Sequence, residues 1–167
     1  TLDSETLAGS IREALGIEVW IGVDEPRGDY YVLGEGGPTF IVQLGDRTFS
    51  ISNQSSTYVF ARGTAGPPIE EPPLRIAWAA HRAFLSVELR TTGNETAEAI
   101  TSAYHVICAL IAELADDDAL AVIEPNSGRM KAYGTTLADE LRGSDPHGAS
   151  SRKANTPPAP YSPEFLW

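Results

Sequence analysis

The alternation of apolar and polar residues is most regular between residues 39 and 51, in "TFIVQLGDRTFSI". A period of two residues is typical of strands that bury one face. Gly45 and Asp46 interrupt the alternation and supply a two-residue turn of the Gly-X type. The apolar set of one strand then pairs with that of the next, with Leu44 opposite Arg47, Val42 opposite Phe49 and Phe40 opposite Ile51. We therefore predict a β-hairpin in this segment.

Apolar residues at steps of three to four predict helices in other segments. In "TLDSETLAGSIREALG" the pattern ends at Gly16, where a C-terminal glycine is expected. The longest helix is predicted over about residues 95 to 114, after a cap at Thr92 or Asn94. Its apolar stripe consists of Ile100, Tyr104, Ile107, Ile111 and Leu114. Shorter helices are predicted in "PPLRIAWAAHR" and "TTLADELRG".

Further strands are predicted in "IEVWIGVD", "DYYVLG", "RAFLSVELR" and "ALAVIEP". The strand, helix and strand at 83–89, 95–114 and 119–123 have the form of a right-handed crossover between parallel strands. Together with the hairpin, they predict an α+β fold, a two-layer sandwich in which a mixed, mainly antiparallel sheet carries helices on one face. We expect a single domain at 1–143 and an extended, proline-rich C-terminal tail at 144–167.

The composition bears on partners and location. The formal net charge of -11 disfavours nucleic acid and membrane surfaces as partners. No apolar run approaches the roughly 18 residues that suggest a membrane span. The single cysteine, Cys108, excludes an internal disulfide, and no signal peptide begins at Thr1. A cytoplasmic location is therefore expected, although a signal upstream of Thr1 would escape this reasoning.

Three segments resemble an uncharacterised bacterial domain family of unknown function. They are "YVLGEGGPTFIVQLGDRTFSISNQ", "AHRAFLSVELR" and "ICALIAELADDDALAVIEPNSGRM", which together span about positions 30 to 142. The similarity lies in the order of the parts. It implies an α+β domain, sometimes followed by a second small domain in longer chains, and it supplies no activity, substrate or active-site residue.

Asp116, Asp117 and Asp118 form the densest acidic cluster and are the candidates for a metal site. Adjacent residues point in different directions, so they rarely converge on one ion, and the alternating ligands of a calcium loop are missing. We favour the interpretation of a solvated turn between a helix and a strand. No metal and no other cofactor is predicted.

The other reactive side chains do not form a catalytic pattern, and no catalytic residue is predicted. His81, His105 and His147 are too scattered for a zinc site, and Cys108 borders the apolar stripe of the long helix. His81 and Arg82 could bind a carboxylate, although a polar edge position or an ion pair is preferred. The serines at 50, 52, 55 and 56 have no neighbouring base.

The polar cluster at 53–57, adjacent to Tyr58, could line a groove with Tyr30 and Tyr31, but an ordinary loop is preferred. The tail ends in Phe165, Leu166 and Trp167, which follow prolines that favour an extended chain. We expect these three residues to dock in an apolar groove of the same domain or of a neighbouring copy, with a slight preference for the neighbour.

The leading hypothesis is a non-enzymatic interaction or regulatory module. Its partner would be another protein or a second copy, bound through the tail. The alternative is a small-molecule-binding or hydrolytic enzyme domain that uses the scattered carboxylates of Glu35, Asp46, Glu88 and Glu124.

Overall fold

The computed structural model describes residues 2–22, 28–34, 37–59, 69–90, 95–124 and 129–143, and the backbone of 164–166. The helices are α1 (Ser4–Leu15), α2 (Pro72–Ala80), α3 (Ala97–Leu114) and α4 (Thr135–Gly143). The strands are β1 (Trp20–Gly22), β2 (Tyr30–Gly34), β3 (Thr39–Leu44), β4 (Arg47–Gln54), β5 (Phe84–Arg90), β6 (Ala121–Glu124), β7 (Arg129–Ala132) and β8 (Glu164–Leu166).

The strands form a mixed, mainly antiparallel sheet. β1 to β5 lie in sequence order, with β1 parallel to β2 and the other neighbours antiparallel. β6 and β7 form an antiparallel pair, and the backbone of β8 lies between β5 and β6, antiparallel to both. β5 and β6 consequently run in the same direction and are joined through α3. The predicted α+β class is confirmed.

The β3–β4 hairpin has the predicted register. Val42 pairs with Phe49, and the flanking pairs are Phe40 with Ile51 and Leu44 with Arg47. Gly45 has a φ of 65°, a backbone conformation that glycine adopts without steric cost. The side chain of Gln43 supports the turn, because its amide nitrogen donates to the Gly45 carbonyl oxygen at 2.7 Å. The hairpin is therefore specified locally.

The main core lies between one face of the sheet and the helices α1, α3 and α4. α3 packs against α1, α4 and β5. α1 begins at its cap Asp3, whose carboxylate accepts the Thr6 N–H at 2.8 Å, and this bond lowers the pKa of Asp3. The largest side chains that are fully buried in this core are Leu7, Ile11, Val32, Val42, Phe49, Ile51, Ile107, Leu110 and Ile111.

α3 follows the prediction in its apolar stripe and differs at its start. Ile107 and Ile111 are buried, and the other stripe residues are half-buried. The helix is capped by Thr96, whose hydroxyl accepts the Ala99 N–H at 3.2 Å; the predicted caps at Thr92 and Asn94 lie outside the described residues. In contrast to the expectation, α3 has the length and composition of a membrane span. The core helix of a soluble protein can have the same length and composition, and α3 packs in the core.

α2 lies on the reverse face of the sheet. Successive side chains of a strand point to opposite faces, so Phe84 points away from the core residue Leu85. The ring of Tyr58 contacts both Phe84 and Trp78 of α2, and α2 also contacts β6 and β7. The sandwich therefore carries an additional helix behind the sheet.

Gly22 in the edge strand β1 provides a test of how Trp20 packs against that strand. A Cβ atom there would lie 1.9 Å from Cζ3 of Trp20, because the indole ring lies over the glycine. Gly22→Ala should displace the ring, lower the free energy of unfolding by about 1–3 kcal/mol and shift the tryptophan emission.

Gly9→Ala in α1 is the matched control. A Cβ at Gly9 meets nothing within 4 Å, so alanine should stabilise the helix by about 0.5–1 kcal/mol. Urea unfolding measures both changes. A Gly22→Ala protein as stable as the parent would contradict the contact.

Candidate functional site

The sequence of α2, "PPLRIAWAA", is apolar around most of its circumference. Pro72 and Pro73 stand in the first turn, where a missing N–H has no cost. Leu74 is buried and Trp78 is half-buried, so these side chains mark the inner side of the helix. A helix on the protein surface normally directs polar residues outward. In α2 Arg75 is the only polar residue among the exposed positions, and it lies beside a surface that is otherwise apolar.

His81 fixes the end of α2. It is 4% exposed, its Nε2 accepts the backbone N–H of Tyr58 at 2.9 Å, and its Nδ1 lies 2.5 Å from the Trp78 carbonyl oxygen. A carbonyl can only accept, so Nδ1 is the donor in this contact, whereas Nε2 is the acceptor in the bond with Tyr58. The interpretation of His81 as a polar edge residue or carboxylate ligand is wrong, since both nitrogens have partners inside the protein.

The aromatic cluster, composed of Tyr58, Trp78, His81 and Phe84, joins α2 to the sheet. The ring centroids of Tyr58 and Phe84 are 5.3 Å apart at an interplanar angle of 80°, and those of Tyr58 and Trp78 are 6.3 Å apart at 78°. These are edge-to-face contacts within the favourable range of distances. The ring of His81 lies 4.9 Å from that of Trp78. Ring contacts therefore attach the inner side of α2 to the sheet at more than one residue.

The outer stripe of α2 consists of exposed apolar residues: Pro72, Pro73, Ile76, Ala79 and Ala80. Ile76, at its centre, is 70% exposed. Charged residues lie at both ends. Glu70 and Glu71 precede the helix and Arg82 follows it, and all three are exposed. Arg82 donates to the carbonyl oxygens of His81 and Ala79, and within the described residues it forms no ion pair.

Asp116, Asp117 and Asp118 are exposed in the turn between α3 and β6. The Asp116 carboxylate accepts the Asp118 N–H at 3.0 Å, so it caps its own turn. In the ranges that the structure describes, no three histidine, cysteine or acidic side chains are grouped so that they could hold a metal ion. The position matches the interpretation of a solvated turn between a helix and a strand.

The end of α3 beside this turn is stabilised by two donors. The Ala112 carbonyl oxygen accepts bonds from Arg142 Nη2 at 3.2 Å and from the Tyr133 hydroxyl at 3.5 Å. A cation at a helix C-terminus opposes the negative end of the helix dipole. Burial raises the pKa of the Tyr133 phenol. Arg142 thus offsets part of the cost of placing aspartates after the helix.

The carboxylates of the enzyme alternative lie on separate elements. Asp46 is exposed at the hairpin turn, with its Oδ1 3.7 Å from Arg47 Nε. Glu88 stands opposite Ser50 within the sheet, whereas Glu124 stands opposite Arg129 in the β6–β7 pair. Glu35 lies outside the described residues. The described carboxylates do not share one site.

The remaining candidates are also separated. Cys108 is buried, as predicted for a small apolar side chain, and His105 is exposed on α3; His147 lies outside the described residues. Tyr30 pairs with Leu44 beside the hairpin turn, whereas the cluster at 53–57 begins at the other end of β4. About six strand residues, roughly 20 Å, separate them. The groove considered for these residues and the tyrosines does not form.

The chain matches no known family model and shows no significant similarity to a curated protein or to a solved structure. The resemblance to an uncharacterised bacterial family remains a prediction. The outer stripe of α2 is therefore judged by its own geometry and chemistry.

The aromatic cluster and the outer stripe are not predicted as sites in the sequence analysis. His81 and Tyr58 are 23 residues apart, and no local pattern connects them. The outer stripe did have a signal. Leu74 and Ile76 are two positions apart, so they face opposite sides of the helix, and only one of them can lie on the inner side. An apolar residue two positions from a buried one could have pointed to this surface.

His81→Ala tests the role of the buried imidazole. It leaves the Tyr58 N–H without its acceptor, which should lower the free energy of unfolding by about 1–3 kcal/mol. Arg82→Ala, at the exposed neighbour, should change it by less than about 0.5 kcal/mol. Urea unfolding gives both values, and near-ultraviolet circular dichroism should show a changed Trp78 environment only for His81→Ala. Equal costs would refute the role assigned to His81.

Proposed function

We propose that this protein is a non-catalytic interaction module and that the outer stripe of α2 is its protein-contact surface. The exposure of Ile76 is the observation that carries the proposal. Burial of an isoleucine side chain contributes about 1.5–3 kcal/mol, and Ile76 obtains little of this within its own chain. A second protein that covers it would supply the missing burial.

The attachment of α2 supports the same proposal. Leu74, the aromatic cluster and the two hydrogen bonds of His81 fix the inner side of the helix. The outer stripe is therefore presented on a rigid element, and a partner need not order it on binding. The formal charge of -11 favours a protein over nucleic acid or a membrane as that partner.

The enzyme alternative has less support. General acid–base or hydrolytic chemistry needs titratable groups within hydrogen-bonding reach of one another. Asp46, Glu88 and Glu124 lie on a turn and on two different strands, each beside a residue other than a second carboxylate. These positions favour solvation and pairing over catalysis.

Ile76→Glu tests whether the exposed isoleucine serves contact or stability. A residue that contributes to binding alone should be replaceable, with a change in the free energy of unfolding below about 0.5 kcal/mol. Leu74→Ala, two positions away on the inner side, should cost about 2–5 kcal/mol. Urea unfolding compares them.

A photo-crosslinking residue at position 76 tests the contact itself. It should yield protein adducts in cells, whereas the same residue at Glu98, exposed at the start of α3, should not. Large destabilisation by Ile76→Glu, or equal adducts at both positions, would contradict the proposal.

A second contact is proposed for the C-terminal tail. The backbone of Glu164–Leu166 pairs with β5 and β6, and residues 144–163, which precede it, lie outside the described residues. A linker of this length can extend to roughly 65–70 Å, long enough to reach a neighbouring copy as well as its own domain. We propose that the tail, including Phe165, Leu166 and Trp167, docks in one of these two ways.

Deletion of residues 155–167 distinguishes the two arrangements. If the tail docks on a neighbour, the mass in solution should fall from dimer to monomer on deletion. If it docks on its own domain, the mass should stay constant and the melting temperature should fall, since β5 and β6 each lose a paired strand. Light scattering and calorimetry measure the two quantities. A deletion that alters neither would disprove tail docking.

A further inference from the structure

We infer that the outer stripe of α2 binds the α2 helix of a second copy of this chain, with the two helices antiparallel about a two-fold axis at Ile76. The inference rests on the proposed function of the stripe and names the partner. Helix–helix contact through one surface patch on each subunit is the isologous arrangement of a two-fold dimer.

Apart from Arg75, which is exposed one position before Ile76, the exposed residues of α2 are arranged symmetrically about Ile76. Pro73 and Ala79 lie three positions before and after it, and Pro72 and Ala80 lie four positions before and after it. In an antiparallel pair centred on Ile76, each proline therefore faces an alanine of the second copy. The stripe is complementary to itself, with a large side chain at the centre and a ring opposite a methyl group on each side.

The charges at the two ends of the helix have the same symmetry with opposite signs. Glu70 lies six positions before Ile76 and Arg82 lies six positions after it, and both are exposed. The antiparallel arrangement places Glu70 of one copy near Arg82 of the other, and it does so twice. A parallel pair would place like charges together. In the antiparallel orientation the two helix dipoles also point in opposite directions, which is the favourable arrangement.

The small residues allow close contact. Ala79 and Ala80 are exposed and project little from the helix, so a second helix can approach to an interaxial distance of about 8–10 Å. The contact is confined to one helix of 9 residues. Its buried area should fall below the roughly 1,000 Å² typical of stable interfaces, so we expect a weak, reversible dimer.

Ile76→Cys tests the position of the axis in the full-length protein. A residue on a two-fold axis meets its own counterpart, so mild oxidation should link two copies through a disulfide. Val59→Cys is the control, because Val59 is even more exposed, at 78%. The native Cys108 is buried and stays in both proteins. We expect disulfide formation at least tenfold faster at position 76; equal rates would overturn the inference.

Charge exchange tests the orientation. Glu70→Arg and Arg82→Glu should each reduce dimerisation, because each single change places like charges together at both ends. A mixture of the two variants restores both opposite-charge pairs, and so does the double variant Glu70→Arg/Arg82→Glu. Sedimentation velocity over a range of concentrations should show weak self-association for the parent, less for each variant alone, and recovery for the mixture. Equal melting temperatures show that the variants are folded.

The outcomes separate this inference from the proposed function. If the mixture fails to recover, antiparallel pairing is refuted. If the parent stays monomeric at all concentrations while crosslinks from position 76 join it to a different protein, self-pairing fails and the interaction function stands. If no crosslink forms from position 76, both fail.

Discussion

The packing of α3 against the sheet is the contact on which the rest of the fold depends. Ile107, Leu110 and Ile111 need an apolar surface, and the sheet supplies it with alternate residues such as Phe49 and Val87. Each of these buried side chains contributes about 1.5–3 kcal/mol. α1 and α4 then flank α3 and complete the layer. This layer covers one face of the sheet. Apolar residues therefore alternate with polar residues along a strand such as β4.

The position of α2 follows from the same one-sided burial. The face of the sheet beneath α3 is already occupied, and the reverse face presents hydroxyl-bearing residues over most of β4, such as Ser50 and Ser52. Phe84 is an aromatic exception on that face, and it contacts Tyr58, which contacts Trp78. α2 is therefore attached at one end of the reverse face by rings and by His81. An attachment of this kind covers one side of a helix and leaves the other in solvent.

The features that the sequence predicts well are those that depend on near neighbours. The register of the hairpin follows from Gly45 and the alternation on each side of it, and α3 follows from its stripe. Individual side-chain contacts between distant residues were not predictable. The N–H of Tyr58 and the imidazole of His81 meet because two chain segments fold together, and no periodicity encodes that meeting. The parallel pairing of β1 with β2 is a similar case, since the sequences of two short strands do not determine their relative direction.

The acidic character of the chain limits how two copies can meet. Two molecules with a formal charge of -11 repel each other at long range. At physiological ionic strength the screening length is about 8 Å, so charges on distant surfaces contribute little once two copies are in contact. The groups within that distance decide the outcome. At α2 these groups are an apolar stripe with Arg75 beside it, glutamates at one end and Arg82 at the other. Local complementarity can therefore outweigh the net charge at this helix.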